Sequence, residues 1–75
     1  MKSSEEIFTV FRIEDNLIEF FETFTTYPKA ARYFVDKAKR YYPLSDETIE
    51  KYLKKRILID KKGNSIQLIS HFVRK

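Results

Sequence analysis

The residues best suited to chemistry in this 75-residue chain are its lysines and arginines. Residues 26–75 hold thirteen of them against five aspartates and glutamates, a net charge of +8, whereas residues 1–25 hold two against six, a net charge of −4. A basic segment suits a polyanionic partner, because cations that meet phosphates release condensed counterions. The alternative is that these charges only solvate the surface of a small protein. Composition leaves both interpretations open.

The chain lacks the residue combinations that catalysis and metal binding need. Cysteine is absent, which excludes disulfides, thiolate nucleophiles and cysteine-ligated metals. The single histidine, His71, has no partner signature, and we interpret it as a surface or edge-strand residue. Glu19 and Glu22 are interpreted as one face of a helix rather than an acid–base pair, and Gly63 alone cannot form a phosphate-binding loop. The sequence therefore predicts a protein that is not an enzyme and has no cofactor.

Four of the fifteen basic residues belong to a segment that has the pattern of a capped amphipathic helix. Ser45 is a suitable N-cap, and Leu44 and Ile49 fall at the two positions of a hydrophobic staple. Acidic residues in the first turn and basic residues in the last turn complement the helix dipole. Together with the apolar spacing, these features predict a helix over residues 45–56.

Two earlier segments also have helical spacing. Leu17, Phe20, Phe21 and Phe24 recur at i, i+3, i+4 and i+7, and Asn16 with Glu19 matches a capping box, which predicts a helix over about 15–25. A second helix is predicted over about 28–42, because Pro28 suits a first helical position and Pro43 ends the pattern.

Strands are predicted at both ends of the chain. EEIFTVFRI favours a strand over about 6–13, since it is rich in β-branched and aromatic residues. Residues 57–60 and 65–73 flank the turn sequence Lys-Lys-Gly-Asn and predict a β-hairpin. The tail of that hairpin is a candidate partner for strand 6–13. We expect one domain over residues 1–75, with residues 1–4 frayed.

The stretch PKAARYFVDKAKRYYPLSDETIEKYLKKRILIDKKGNSIQLI resembles the winged helix-turn-helix superfamily. The resemblance covers about residues 14–69 and rests on ETIEKYLKKRILI followed by the Lys-Lys-Gly-Asn turn. It implies an α+β fold of three helices with a C-terminal β-hairpin wing, preceded by the N-terminal strand.

The resemblance also implies a function, that of a transcriptional regulator which binds double-stranded DNA. Helix 45–56 would enter the major groove, and wing 60–65 would touch the backbone or the minor groove. The DNA-binding residues implied are Thr48 and Lys51 for bases, Lys54, Lys55 and Arg56 for phosphates, Lys61, Lys62 and Asn64 at the wing, and Lys29 and Arg32 for further phosphates. Such a protein would lie in the cytoplasm, on the nucleoid.

A protein-interaction role is the alternative. Asp46, Glu47 and Glu50 occupy the end of helix 45–56 that would approach DNA, where phosphates repel carboxylates. The same helices could instead dock on a larger protein, as an accessory subunit of a replication or transcription assembly. Strand 6–13 is apolar on both faces, and an edge strand of this kind pairs within its own fold or across a dimer. Together with the small size of the chain, it predicts a homodimer. No apolar run approaches the ~20 residues of a membrane span, and the abundance of Lys, Glu and Ile resembles thermophile usage.

Overall fold

The protein folds as a four-stranded antiparallel sheet with two helices packed on one face. The structure, a computed structural model, describes residues 4–74. Its elements are, in chain order, β1 (Ser4–Glu14), β2 (Leu17–Phe24), α1 (Tyr27–Tyr41), α2 (Asp46–Lys55), β3 (Ile57–Ile59) and β4 (Ser65–Arg74). The strand order β2-β1-β4-β3 places the first and last strands of the chain side by side at the centre of the sheet.

β1 and β2 form a hairpin where the sequence pattern predicted a helix. The two strands pair from Phe8↔Phe24 to Glu14↔Leu17. Between them, Asp15 and Asn16 have φ angles of 53° and 66°, as a two-residue type I′ turn requires. The predicted helix 15–25 is therefore wrong.

The segment 17–24 satisfies two periodicities at once, which explains the error. Its Leu and Phe residues recur at helical spacing, but Phe20 and Phe24 also alternate with Phe21 across a strand. Aromatic residues pack well on a pleated sheet, and Asp and Asn accept positive φ more readily than most residues. The residues interpreted as a helix cap are thus the turn of the hairpin.

Both helices lie close to their predicted bounds. α1 has Pro28 in its first turn and ends before Pro43, as expected from the missing N–H and fixed φ of proline. The Ser45 hydroxyl accepts a hydrogen bond of 3.2 Å from the backbone N–H of Thr48, which confirms Ser45 as the N-cap of α2. After α2, Arg56 adopts the left-handed conformation with φ of 63°.

The C-terminal hairpin is present but does not project as a wing. β3 and β4 pair around a turn in which Gly63 has φ of 90°. β4 then continues past β3 and pairs with β1 from Ile13↔Ser65 to Ser4↔Arg74. The predicted pairing of the C-terminal tail with the N-terminal strand is therefore confirmed.

The winged helix-turn-helix architecture is wrong. That fold needs three helices and a β-hairpin at the edge, whereas this chain has two helices and an antiparallel sheet in which its first and last strands pair. The broad α+β class is correct. Of the residues predicted to be frayed, Ser4 belongs to β1, and residues 1–3 lie outside those that the structure describes.

The core lies between the helices and one face of the sheet. Alternate residues of β1 and β4 point toward the helices and are buried, while the residues between them lie on the opposite face. The buried apolar side chains are Phe8, Val10, Ala30, Phe34, Ala38, Ile49, Leu53, Leu58, Ile66 and Leu68. One layer of buried side chains therefore lies between the helices and strands β1, β3 and β4, and the half-buried Phe20 and Phe24 of β2 pack against it.

Replacing Phe34 with alanine should lower the free energy of unfolding by about 3–5 kcal/mol. Phe34 is fully buried in the core side of α1, so its removal leaves a cavity. Urea denaturation followed by circular dichroism measures the loss. Arg32→Ala on the exposed side of the same helix is the control and should change stability by less than about 0.5 kcal/mol. Equal losses for the two variants would contradict this core.

Candidate nucleic-acid interface

α1 and α2 pack antiparallel on the sheet. The Arg56 guanidinium, just after α2, lies 5.2 Å from the ring centroid of Tyr27, the first residue of α1. At the other end, Lys39 Nζ forms a salt bridge of 3.1 Å with Asp46 Oδ1, which joins the last turn of α1 to the start of α2. The start of each helix therefore lies beside the end of the other.

This packing gathers cationic residues at one end of the helix layer. Two of them lie in the first turns of α1, two lie in the last turn of α2, and one follows α2 directly. All are exposed, and we call them the basic end: Lys29, Arg32, Lys54, Lys55 and Arg56. The α1 and α2 members are far apart in the chain, so only tertiary packing places them at the same end.

The acidic start of α2 lies at the opposite end of the helix layer. Asp46 is paired with Lys39, and Arg40 also belongs to the last turn of α1. Of the carboxylates that weighed against DNA contact by the predicted recognition helix, Asp46 is thus next to the basic last turn of α1. Glu50 lies nearer the basic end, where it lines a groove with Asp36 and Arg32.

Arg56 is oriented by the fold itself. Its backbone carbonyl accepts a hydrogen bond of 2.9 Å from the N–H of Leu68. Its Nη1 donates to Ser70 Oγ at 3.2 Å, and its guanidinium lies over the Tyr27 ring. These contacts hold one cation of the basic end in place, which lowers the entropy lost when it meets a phosphate.

Thr48 and Lys51, the two residues predicted to reach bases, are not part of the basic end. The Thr48 hydroxyl lies 2.9 Å from Ser45 Oγ within the cap of α2, and the side chain is half-buried. Lys51 is exposed near the middle of α2. The antiparallel packing leaves Thr48 at the opposite end of the layer.

The predicted wing residues lie at the far end of the molecule from the basic end. Lys61 and Lys62 are exposed in the β3–β4 turn, beside the last residues of α1. Asn64 Oδ1 accepts a hydrogen bond of 3.1 Å from the backbone N–H of Asp15. Asn64 therefore ties the two hairpin turns together.

A buried arginine, Arg12, organises that far end of the molecule. Its Nε donates to Glu19 Oε1 and its Nη2 to Glu14 Oε1, both at 2.9 Å. Its Nη1 donates to the Tyr42 hydroxyl at 2.6 Å, and its guanidinium lies 4.1 Å from the ring centroid of Tyr41. The cluster joins β1, β2 and the end of α1.

Sequence reasoning missed this cluster. The available signal was an arginine in phase with Phe8 and Val10 on one side of the N-terminal strand, a position that a core residue would be expected to fill. Burial would lower the pKa of Arg12, but hydrogen bonds to Tyr42 and Glu14 outweigh it and raise that pKa. The guanidinium therefore stays charged, and its role is structural.

An open cleft of about 620 Å³ borders the Arg12 cluster and is also lined by the β3–β4 turn. Burial raises the pKa of Tyr42, although the hydrogen bond from Arg12 opposes the shift, so this phenol is protonated near neutral pH. Glu14 is ion-paired with Arg12. Within residues 4–74 no group of acidic residues and histidines could hold a metal ion. We assign no reaction to the cleft.

No protein-family model, curated protein or solved structure matches the chain. In the part of the chain that the structure describes, no helix is both long and apolar enough to cross a membrane.

Replacing Arg12 with methionine should lower the free energy of unfolding by about 2–3 kcal/mol, because hydrogen bonds to charged partners are lost from a buried site. Arg12→Lys keeps the charge but not the fork of donors, and should fall between the wild type and Arg12→Met. Arg32→Met is the exposed control. Urea denaturation of the four proteins measures these differences, and an unchanged stability of Arg12→Met would contradict a stabilising role for the Arg12 cluster.

Proposed function

We propose that the protein is a non-enzymatic, double-stranded DNA-binding protein that contacts the phosphate backbone through its basic end. The observation that carries the proposal is the antiparallel packing of α1 and α2. It brings Lys29 and Arg32 to the same end of the helix layer as Lys54, Lys55 and Arg56. Clustered exposed cations of this kind supply the electrostatic part of DNA binding, which depends little on sequence.

The distribution of charge over the fold supports the proposal. The helix layer, residues 27–56, holds nine Lys and Arg against four Asp and Glu, a net charge of +5. The β1–β2 hairpin, residues 4–24, holds one Arg against six Asp and Glu, a net charge of −5. In the field of a polyanion, a molecule with this asymmetry is steered so that its helix layer approaches first.

The mode of contact differs from the one that the sequence resemblance implied. A recognition helix reads bases with its N-terminal residues, but the start of α2 is acidic and pairs with α1. We therefore propose backbone contact rather than reading of the major groove by α2. The roles of transcriptional regulator and nucleoid component extend this proposal and depend on it.

An accessory subunit of a replication or transcription assembly is the second candidate. The observation that favours it is the balance of charge on α2, which holds three lysines and three acidic residues, Asp46, Glu47 and Glu50. A mixed surface of this kind suits a polar protein partner better than it suits a phosphate backbone. A stoichiometric partner that co-purifies after nuclease treatment would favour this candidate, as would a lack of duplex binding at low salt.

Removal of two charges from the basic end should weaken DNA binding more than removal of two charges elsewhere. Lys54→Ala with Lys55→Ala should reduce the slope of log affinity against log salt by about 1.8, since each lost phosphate contact contributes about 0.9. The matched control is Lys61→Ala with Lys62→Ala, which changes the net charge equally and should leave the slope unchanged. Fluorescence anisotropy with a labelled random duplex at several salt concentrations measures both.

The same titrations can contradict binding through the basic end. Equal slopes for the two double variants would mean that total charge, and not the basic end, governs binding. A greater loss for the control would support the wing residues implied by the sequence resemblance. A single strand of the same sequence should bind with a shallower salt slope than the duplex, because its phosphate charge density is lower.

A further inference from the structure

The face of the sheet opposite the helices is apolar and uncovered. Strand alternation and the cross-strand register place its residues on one surface, because each pair in the ladder points to the same side. No element within residues 4–74 packs against it. We call this surface the open face: Ile18, Phe21 and Thr23 of β2, Thr9, Phe11 and Ile13 of β1, Ser65, Gln67 and Ile69 of β4, and Ile57 and Ile59 of β3.

The apolar side chains of the open face extend from one edge of the sheet to the other. On β2, Ile18 is 61% exposed and Phe21 is 58% exposed, and on β3, Ile59 is 57% exposed. Phe21 and Phe11 are direct cross-strand partners with ring centroids 6.4 Å apart. On β4, Ser65 and Gln67 lie between these groups, and Ser65 is only 5% exposed. An exposed apolar patch of this kind, with polar residues in and around it, marks an interaction site.

We propose that the open face binds the open face of a second copy of this chain, so that two sheets pack face to face. Sheets that pack in this way lie about 10 Å apart with their strands about 30° from parallel. The homodimer is then a four-layer sandwich, with the two sheets inside and the two helix layers outside. Apolar side chains that water now surrounds would form a second core.

The charge pattern favours a second copy over other partners. None of the open-face residues is charged, so two copies can approach through this face although each chain carries a net charge of +4. A single-stranded nucleic acid could stack bases on Phe11 and Phe21, but it would need cations beside them for its phosphates. An anionic lipid surface has the same requirement, and the basic end lies on the other side of the sheet.

The size of the face fits a weak dimer. β1, β2 and β4 contribute five to six residues each and β3 contributes three, so strands about 4.8 Å apart with a rise of about 3.3 Å per residue give a face of about 300 Å². Beyond β2 and β3, β1 and β4 continue as a two-stranded ribbon that adds Ile7, Val73, His71 and Glu5 to the same side. With this ribbon, two copies would bury roughly 900 Å² in total, which is the size of a weak interface.

The dimer does not depend on the proposed DNA binding, which uses the opposite side of each copy. If both hold, the dimer presents one basic end on each outer helix layer. Two DNA segments, or two turns of one segment, could then bind to the same dimer.

Sedimentation velocity of the full chain tests the proposal. The wild type should sediment as a species of twice the 9.1 kDa chain mass. Phe21→Lys on β2 and Ile59→Lys on β3 each place a charge within the proposed interface. Each should raise the dissociation constant of the dimer at least roughly 100-fold, because a lysine buried without a partner is costly. Both residues are exposed in the monomer, so circular dichroism should show a native fold.

Leu17→Lys is the matched control. Leu17 is 72% exposed on β2 and is the cross-strand partner of Glu14, on the helix side of the sheet. It adds the same charge to the same strand but not to the open face, so this variant should remain a dimer. A loss of dimer in Leu17→Lys equal to that in Phe21→Lys would overturn the proposal.

Two further outcomes would overturn it. A wild type that stays monomeric up to about 1 mM would leave the open face to a different protein, because a dissociation constant above that value corresponds to less than about 4 kcal/mol of binding free energy. A dimer that survives Ile59→Lys but not Phe21→Lys would assign the contact to the exposed edge of β2. If Phe21→Lys fails to fold, Ile59→Lys alone decides between the two geometries. If Ile59→Lys fails to fold, Ile69→Lys replaces it, because Ile69 of β4 is 43% exposed on the open face and away from β2.

Discussion

β1 and β4 form the longest ladder in the structure, and the other elements depend on it. Ten residue pairs, from Ser4↔Arg74 to Ile13↔Ser65, join the first strand of the chain to the last. Each of the two hairpins can form from a local turn, but only the β1–β4 ladder joins one hairpin to the other. Its closure costs the entropy of ordering the intervening chain. The ladder provides the surface on which α1 packs, and α2 packs against α1 and β3.

The two faces of the sheet differ in burial, because the helices cover only one of them. On the helix side, Phe34 and Ile49 fill the space above Val10 and Leu68, and all four are buried. On the open face, residues of the same apolar character remain in water. A domain of this length buries a modest share of its surface, so an interface on the second face would add to a small core.

Charged residues are also distributed unequally over the parts of the fold. Carboxylates concentrate on the β1–β2 hairpin, where Arg12 binds Glu14 and Glu19 at the edge of the core. Most cations lie on or directly after the helices, and antiparallel packing separates them into a basic end and a far end at which Lys39 and Asp46 neutralise each other. The central open face is left neutral. Each side of the molecule therefore suits a different partner chemistry.

The sequence alone determined the local features of this protein. Periodicity, proline and capping rules suffice to predict the two helices, the Ser45 cap and the C-terminal hairpin, because each depends on residues that are close in the chain. The net charge of the second half follows directly from its composition. The pairing of the C-terminal tail with the N-terminal strand could also be predicted, from the apolar character of both.

Only the tertiary structure decided the rest. Segment 17–24 fits a helix and a strand equally well by spacing, and the outcome depends on the Asp15–Asn16 turn and on pairing with β1. The prediction of a winged-helix architecture is wrong for the same reason, since that fold requires a helix in this segment. The basic end, the Arg12 cluster and the open face each combine residues from separate elements. Local patterns could not reveal them, because which faces meet is determined by the global arrangement of the sheet.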